Sequence, residues 1–405
     1  MERLLPAPFA YVLLYVTLYG AFGVASPYWP KLFESKGLTP QQIGLILAAA
    51  LVMRLAAGPL IGRLADLLGS LRLVLASCIV AAAAAAAAYT WANAFWLVLL
   101  IAVAQAAALA PTTSLADALT VNAARPRMAG KPFEYGQIRG AASAAFLVGT
   151  LVIGQLIVPA DLSPIIWMNV ALLMMAAAAT ALIPSASCEP TPDVKTAAVA
   201  TKVRALLKLP SFRAVIAVSA LVYGSHALYD AFAVIRWSAA GLQAPVISAL
   251  WAEAVAAEVV VFFLIGPWLL DRLGARGAAV LAAVAGIVRW SGMGFSNSIL
   301  LLALLQPLHG FTFALLHLAC MRVIGNVVPS GVAATAQALY AFGAGLVTAA
   351  LTSLSGTLYA GYGGLAFLSM AALCVIALPF AWWGLAKEPG PIAPGQRQPG
   401  SMHPL

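Results

Sequence analysis

Apolar residues run along this chain in long blocks, each near the length of one membrane crossing and each ended by a short polar or charged turn. A helix that crosses the hydrocarbon core needs about 20 apolar residues. Twelve stretches meet that length. In the first half they are 9–29, 41–61, 72–92, 95–119, 136–158 and 164–183; in the second, 211–234, 246–268, 277–295, 299–321, 333–356 and 363–385. The first stretch follows Met1-Glu2-Arg3, carries Tyr11, Tyr15 and Tyr19, and lacks a small-residue cleavage site. It is therefore expected to be a retained helix rather than a signal peptide. Ala81 to Ala88 is low in complexity but lies within a span, as a smooth helix packed closely against its neighbours would.

The polar breaks divide the chain. The longest, 184–209, opens with Pro184, Pro190 and Pro192 and turns into a short basic helical pattern around Lys202 to Lys208. The tail beyond Lys387 is rich in Pro and Gly and is expected to be disordered. The predicted organisation is an all-α membrane protein with a six-helix bundle over 1–183, a linker over 184–209, a second six-helix bundle over 210–387 and a tail over 388–405.

The two halves echo each other. Gly62-Arg63-Leu64-Ala65-Asp66-Leu67-Leu68-Gly69 returns as a weaker copy ending Asp271-Arg272-Leu273-Gly274, so Asp66 and Asp271 stand 205 residues apart. Tyr19-Gly20 returns as Tyr223-Gly224, and Gly37-Leu38 as Gly241-Leu242, both at an offset of 204. Repeated halves in an apolar chain point to a transporter with its site between two related bundles.

Composition agrees. Hydrophobic residues make up 63% and charged residues 9%, against about a quarter charged in soluble domains. The net charge of +9 is dispersed between apolar spans and forms no continuous footprint for nucleic acid. Basic residues gather in the even-numbered connections: Arg63 and Arg72; Arg125, Arg127 and Lys131; Lys195, Lys202, Arg204 and Lys208; Arg272 and Arg276. The odd-numbered ones hold Lys31 and Lys36, with Arg236 at the edge of the seventh span. The positive-inside rule then puts the even loops and both termini in the cytoplasm, as for a bacterial inner-membrane protein. Cys78, Cys188, Cys320 and Cys374 are scattered with no Cys-x-x-Cys pair, which suggests neither a disulfide framework nor a metal site. No His-Glu-x-x-His, no Gly-x-Ser-x-Gly and no Gly-Asp pair within a span supports a membrane hydrolase. The expected partners are a small-molecule substrate, protons and lipid, with no cofactor and a monomeric state.

Ionisable residues inside spans carry more information, since each costs about 2.5–3.5 kcal/mol at mid-helix on insertion scales. They are Arg54, Asp117, Arg139, His226, Asp230, Glu253, Glu258, Arg289, His309, His317 and Arg322. Opposite charges nearly balance, as in a water-accessible cavity; pairing between helices for stability alone is the other reading.

The Gly62–Gly69 loop and its copy resemble the signature of the major facilitator superfamily, whose transporters have two six-helix halves. Leu67 stands where that family usually has a basic residue, and Ser70-Leu71 precede a lone Arg72. The resemblance implies that Asp66 and Asp271 gate the two halves; the alternative is ordinary helix capping. Four further segments resemble the 3-phenylpropionate permease branch. They are Asp117-Ala118-Leu119 with Tyr135-Gly136-Gln137-Ile138-Arg139; Leu250-Trp251 with Ala257-Glu258-Val259; Val288-Arg289-Trp290; and Leu308-His309 with His317-Leu318-Ala319 and Met321-Arg322.

A more distant similarity to lactose permease implies roles. Asp117 and Arg139 match its substrate-binding carboxylate and arginine, Glu258 lies near its second essential carboxylate, and Arg289 and His309 match its coupling pair. Its proton-carrying Glu is Thr312 here, and the Lys partner of its helix-seven Asp, matched by Asp230, is replaced near Thr348. A buried carboxylate can take over proton binding, and Glu258 is the expected site, followed by Asp230 and Asp117. His226 and Asp230 stand one helical turn apart and are expected to pair.

Tyr11, Tyr15 and Tyr19 recur at i, i+4 and i+8, one stripe along the first span. Tyr15, Tyr19, Trp251 and Tyr340, with Tyr223 and Tyr229, are candidates for an aromatic cavity wall. Such a wall with buried arginines suits a small aromatic or aliphatic carboxylate, its oxygens held bidentately by Arg. The expected function is proton-coupled uptake of such an acid by alternating access; a neutral sugar or nucleoside is the alternative.

Overall fold

The computed structural model describes residues 7–124, 135–183, 196–329 and 332–385. Among these, nine helical stretches are long and apolar enough to cross a membrane. A tenth is the pair Phe9–Ala25 and Trp29–Ser35, bent by 43°. Two of the nine, Ala244–Phe295 and Ala333–Gly384, run for 52 residues. At 1.5 Å per residue each would be about 78 Å long, more than twice the hydrocarbon thickness. Each is in fact two helices, turning at Gly274 (φ 66°) and Gly363 (φ 52°), where the absence of a Cβ permits the left-handed backbone. All twelve predicted spans are therefore helical.

They are α1 (Ala7–Ala25), α2 (Pro40–Leu68), α3 (Leu71–Ala88), α4 (Phe95–Val121), α5 (Tyr135–Leu156) and α6 (Ser163–Leu182) in the first half. The second half holds α7 (Pro210–Ala239), α8 (244–273), α9 (275–295), α10 (Ile299–Val327), α11 (Ala333–Tyr362) and α12 (367–384). The basic pattern of the linker forms a helix, Thr196–Lys208, packed against α7 and α11. The predicted Pro-rich part of the linker and the predicted tail lie outside the described residues, as do Arg125, Arg127 and Lys131.

The internal echo is structural. Gly37 (φ 79°) and Gly241 (φ 88°) end their helices in the same way. The amide of Leu38 donates to Phe33 O and that of Gly37 to Glu34 O; the amide of Leu242 donates to Trp237 O and that of Gly241 to Ser238 O. These are the paired 6→1 and 5→2 bonds of a Schellman ending, repeated at an offset of 204. Gly69 (φ 61°) and Gly274 repeat the next turn.

The signature segment differs from a loop. Helix α2 continues to Leu68, so Asp66 stands in its last turn, and the connection is only Gly69-Ser70. Ser70, not Asp66, caps α3, its Oγ accepting from the Leu73 amide at 3.3 Å. The capping alternative for Asp66 is thereby corrected. A carboxylate in a last turn faces the negative end of the helix dipole, an unfavourable placement worth about 0.3–1 kcal/mol.

Three apolar cores hold the molecule. One lies within the first half around Leu14, Leu75, Ile79 and Leu173, and one within the second around Phe212, Val218, Leu315 and Ile324. The third crosses the seam, joining Val24, Tyr28, Phe33 and Ile43 to Leu228, Phe232, Trp237 and Trp251. It lies at the end that carries the connections after α1 and α7. At that end Tyr28 Oη lies 2.6 Å from Ser248 Oγ and donates to Ala244 O at 3.1 Å. Gly154 of α5 is so close to α8 that a Cβ there would meet Ser248 Oγ at 2.1 Å. At the opposite end nothing lies within 4 Å of where a Cβ would stand on Gly62, Gly136 or Gly140. Where α2 meets α11, the glycine close approaches run from Gly356 against Pro40, through Gly44 against Thr352, to Gly345 against Leu55 and go no further toward Gly62, so the halves are closed together at one end and parted at the signature end. Outward-facing Leu60, Leu100, Phe263, Leu300 and Trp383 are each more than 60% exposed, an apolar surface suited to lipid.

Candidate functional site

A cavity of about 440 Å³ lies in the seam, beneath the closed end. Its walls come from both halves. Tyr19 and Phe22 of α1, Trp29 and Phe33 of the short helix, Tyr89 and Trp251 supply aromatic surface, Trp251 being stacked on Tyr229 with ring centroids 4.8 Å apart. Arg54 of α2 and Asp230 of α7 line it too, exposed to the cavity rather than to bulk lipid. Among the described residues the Arg54 guanidinium has no hydrogen bond or ion pair. Two buried amides in the wall are also incompletely bonded: Gln105 Nε2 has no partner, and Asn169 donates to Ala21 O at 2.9 Å but leaves Oδ1 free.

Nearer the open end, α1, α4 and α5 bring together four of the predicted residues. Tyr15 Oη donates to Asp117 Oδ1 at 2.5 Å, Arg139 lies 3.6 Å from the same oxygen, and Arg139 donates to the Tyr19 hydroxyl. The guanidinium carbon stands 5.1 Å from the Tyr19 ring centroid. Tyr15 is fully buried and positions Asp117, whereas the Asp117 and Arg139 side chains are 34% and 40% exposed. Tyr19 joins this cluster to the cavity.

The second half holds a buried network. Arg289 is wholly buried, its guanidinium sandwiched 4.5 Å from the Tyr229 and Trp290 ring centroids. It donates to Gln306 Oε1 at 3.0 Å and lies 3.0 Å from His309 Nδ1. An arginine can only donate, so His309 Nδ1 accepts and its proton sits on Nε2. That Nε2–H faces Glu258 Oε2 at 3.6 Å. Arg289 thus fixes the tautomer that points a proton at the carboxylate.

His226 does not pair with Asp230, correcting that expectation. Its Nδ1 donates to Val222 O at 3.0 Å, and its Nε2 lies 3.0 Å from Thr312 Oγ1, the position where lactose permease has its Glu. The Asp230 amide still bonds His226 O at 2.9 Å, yet the two side chains meet different surroundings: His226 the helix bundle, Asp230 the cavity. Tyr340 lies away from the cavity and donates to Tyr223 Oη at 3.0 Å. Asp271 accepts from Arg322 of α10 at 2.5 Å, within its own half, and so does not tie the halves together here. Gln105, Asn169 and Gln306 escaped sequence reasoning because the search followed charge; amides within otherwise apolar spans were the available signal.

Comparison with known proteins gives the same assignment. The model of the MFS_1 like family matches residues 9–371. The chain is 33% identical over 377 residues to the protein named "Probable 3-phenylpropionic acid transporter" of Escherichia coli (strain K12), covering 90% of this chain and 94% of that one. Among solved structures it resembles the nucleoside transporter NupG, with a TM-score of 0.79 at 16% identity over 94% of this chain and 98% of that one. It also resembles a D-xylose-proton symporter, with a TM-score of 0.69 at 13% identity over 94% and 98%. At such identities these two likenesses show the fold alone. The family match spans both halves, with the cavity between them, and the chain belongs to the MFS_1-like family of major facilitator membrane transporters; it is not an enzyme.

Proposed function

We infer that this transporter couples inward movement of protons to uptake of a small aromatic carboxylate across a bacterial inner membrane. The observation that carries this reading is the seam cavity, whose walls are aromatic and whose one unpaired cation among the described residues is an arginine. An aromatic ring gains from stacking and apolar burial there, while a guanidinium offers a carboxylate two parallel hydrogen bonds. The named specificity of the Escherichia coli relative agrees with that chemistry.

With the basic loops and both termini on the cytoplasmic side, the closed end faces outward and the cavity opens inward. Asp117 and Arg139, held by Tyr15 and Tyr19, then stand on the path to the cytoplasm, and Trp251 in the cavity wall. Tyr340 joins through Tyr223 at the border of the buried network. Protons are carried by the embedded carboxylates Glu258 and Asp230, with Arg289, His309 and His226 organising the charge around them. Asp66 and Asp271 serve the gate at the parted end. The protein works as a monomer with no cofactor.

Proton-coupled sugar or nucleoside transport is the second reading. It is favoured by the Asp117–Arg139 pair, whose exposed edges can grip hydroxyl groups. Proteoliposomes with an imposed pH gradient separate the two. Accumulation of 3-phenylpropionate, with no competition from a pentose or a nucleoside, is expected. Accumulation of a pentose or nucleoside without the acid overturns the carboxylate reading.

A further inference from the structure

Arg54 and Gln105 stand at the same level on neighbouring helices. A Cβ on Gly58, one turn beyond Arg54 on α2, would lie 3.9 Å from Ala110 O, which is five residues beyond Gln105 on α4. Both helices run in the same direction, so the guanidinium and the unpartnered Gln105 Nε2 share one stretch of the cavity wall. Arg54 offers only donors and Gln105 adds an unpartnered amide N–H beside it, groups that a carboxylate can use. Asp230 enters the same cavity from the other half, and its carboxylate has no hydrogen-bond partner among the described residues.

The geometry points to a binding site in which Arg54 and Gln105 hold the substrate carboxylate while Asp230 must carry a proton, so that this one aspartate links proton binding to substrate binding. This rests on the carboxylate reading of the substrate. The charges require it. Arg54 and Arg289 are the cations of the cavity and the network behind it, and Asp230 and Glu258 are their anions. A bound carboxylate adds a third anion to a water-poor space, where an unbalanced charge is strongly disfavoured. One proton restores the balance. Asp230 is the anion that lines the cavity, whereas Glu258 faces His309.

The groups around Asp230 leave no other neutralising partner. Arg54 on α2 lines the same cavity, and Arg289 on α9 acts through space while bonded to Gln306 and His309. Tyr19 on α1, Trp251 on α8 and Thr352 on α11 face the cavity without charge. Glu253 on α8 acts on the neighbouring Tyr229.

The test uses purified full-length protein in weakly buffered detergent with 3-phenylpropionate as the probe. Binding to the wild type is expected to take up about one proton per substrate at alkaline pH, with affinity falling about tenfold per pH unit there. Asp230→Asn should bind the acid with no proton uptake and a flat pH profile. Arg54→Gln should lose the acid but retain the neutral alcohol 3-phenylpropanol. A pH slope that survives in Asp230→Asn, or vanishes only in Glu258→Gln, overturns the assignment and leaves the carboxylate reading intact. Failure of the wild type to bind any aryl carboxylate removes both. Should Asp230→Asn not fold, absence of proton uptake by the wild type on binding overturns the proposal by itself.

Discussion

Tyr28 Oη, three residues beyond α1, lies 2.6 Å from Ser248 Oγ near the start of α8, a hydrogen bond between residues 220 positions apart that joins the two halves at their closed end. The same hydroxyl reaches Ala244 O at 3.1 Å, and the close approach of Gly154 to Ser248 brings α5 into the contact. This hydroxyl and glycine contact, added to the apolar core that crosses the same seam, can part and re-form without dismantling either bundle. Alternating access needs that property.

Tyr28→Phe keeps the ring and removes both hydrogen bonds. At about 1 kcal/mol net for each bond, the closed arrangement should lose about 1–2 kcal/mol, a shift of roughly 5–30-fold toward an open outer end. The measurement is alkylation from outside of a cysteine placed at Ser26, which lines the cavity, with the four native cysteines replaced. Faster labelling in the Phe variant is expected; equal rates would mean that the apolar core alone seals the end.

The two arginines of the first half should behave differently. Arg139 is already engaged by Tyr19 and Asp117, whereas Arg54 has no such partner. Arg54→Lys keeps the charge but loses the planar fork, and aryl carboxylate binding should weaken by about 2 kcal/mol, or roughly 30-fold. Arg139→Lys should weaken it less than about threefold. Titration calorimetry on the two variants decides, and the reverse order would return the carboxylate to Arg139.

Arg289→Lys tests the buried network. A lysine cannot lie flat between Tyr229 and Trp290 while also reaching Gln306 and His309. Losing the stacking and a fixed hydrogen bond should lower stability by about 2–4 kcal/mol, seen as a fall in thermal midpoint in detergent. His309 would also lose the bond that fixes its proton on Nε2. An unchanged midpoint would show that the network is not structural.

Much of this arrangement was legible in the sequence because lipid imposes it. A span must be apolar and helical, so twelve blocks gave twelve helices, and the repeat of Gly37 and Gly69 as Gly241 and Gly274 reflects backbone turns that only a residue without a Cβ makes easily. The pairings were less legible. Asp117 with Arg139, and Glu258 with His309, were within reach because charges inside a membrane must find partners. The expected His226–Asp230 pair gave way because both ring nitrogens of His226 are taken by Val222 O and Thr312 Oγ1, and a one-turn spacing does not reveal a partner on another helix. Arg54 was visible as a charge, but its lack of a partner among the described residues depends on where helices of both halves come to rest. Periodicity along one helix carries no information about that.

The charged turns at the parted end can be separated from ordinary surface electrostatics by one comparison. Asp271 lies 2.5 Å from Arg322, yet it is 69% exposed, so water and salt screen the pair and its contribution to stability should not exceed about 1 kcal/mol. Asp271→Asn is therefore expected to leave the thermal midpoint within about 2 °C of the wild type. A gating role predicts something else: a fall in the initial rate of uptake with little change in substrate affinity, because the mutation alters the balance between open and closed ends rather than the cavity. Arg322 also donates to Leu270 O at 3.2 Å, holding the last turn of α8 to α10, and this bond should survive in the Asn variant. Uptake rates and melting curves measured on the same preparations distinguish the outcomes. A lower midpoint with a proportionate loss of rate would make Asp271 a structural tie, and unchanged uptake would remove it from the gate.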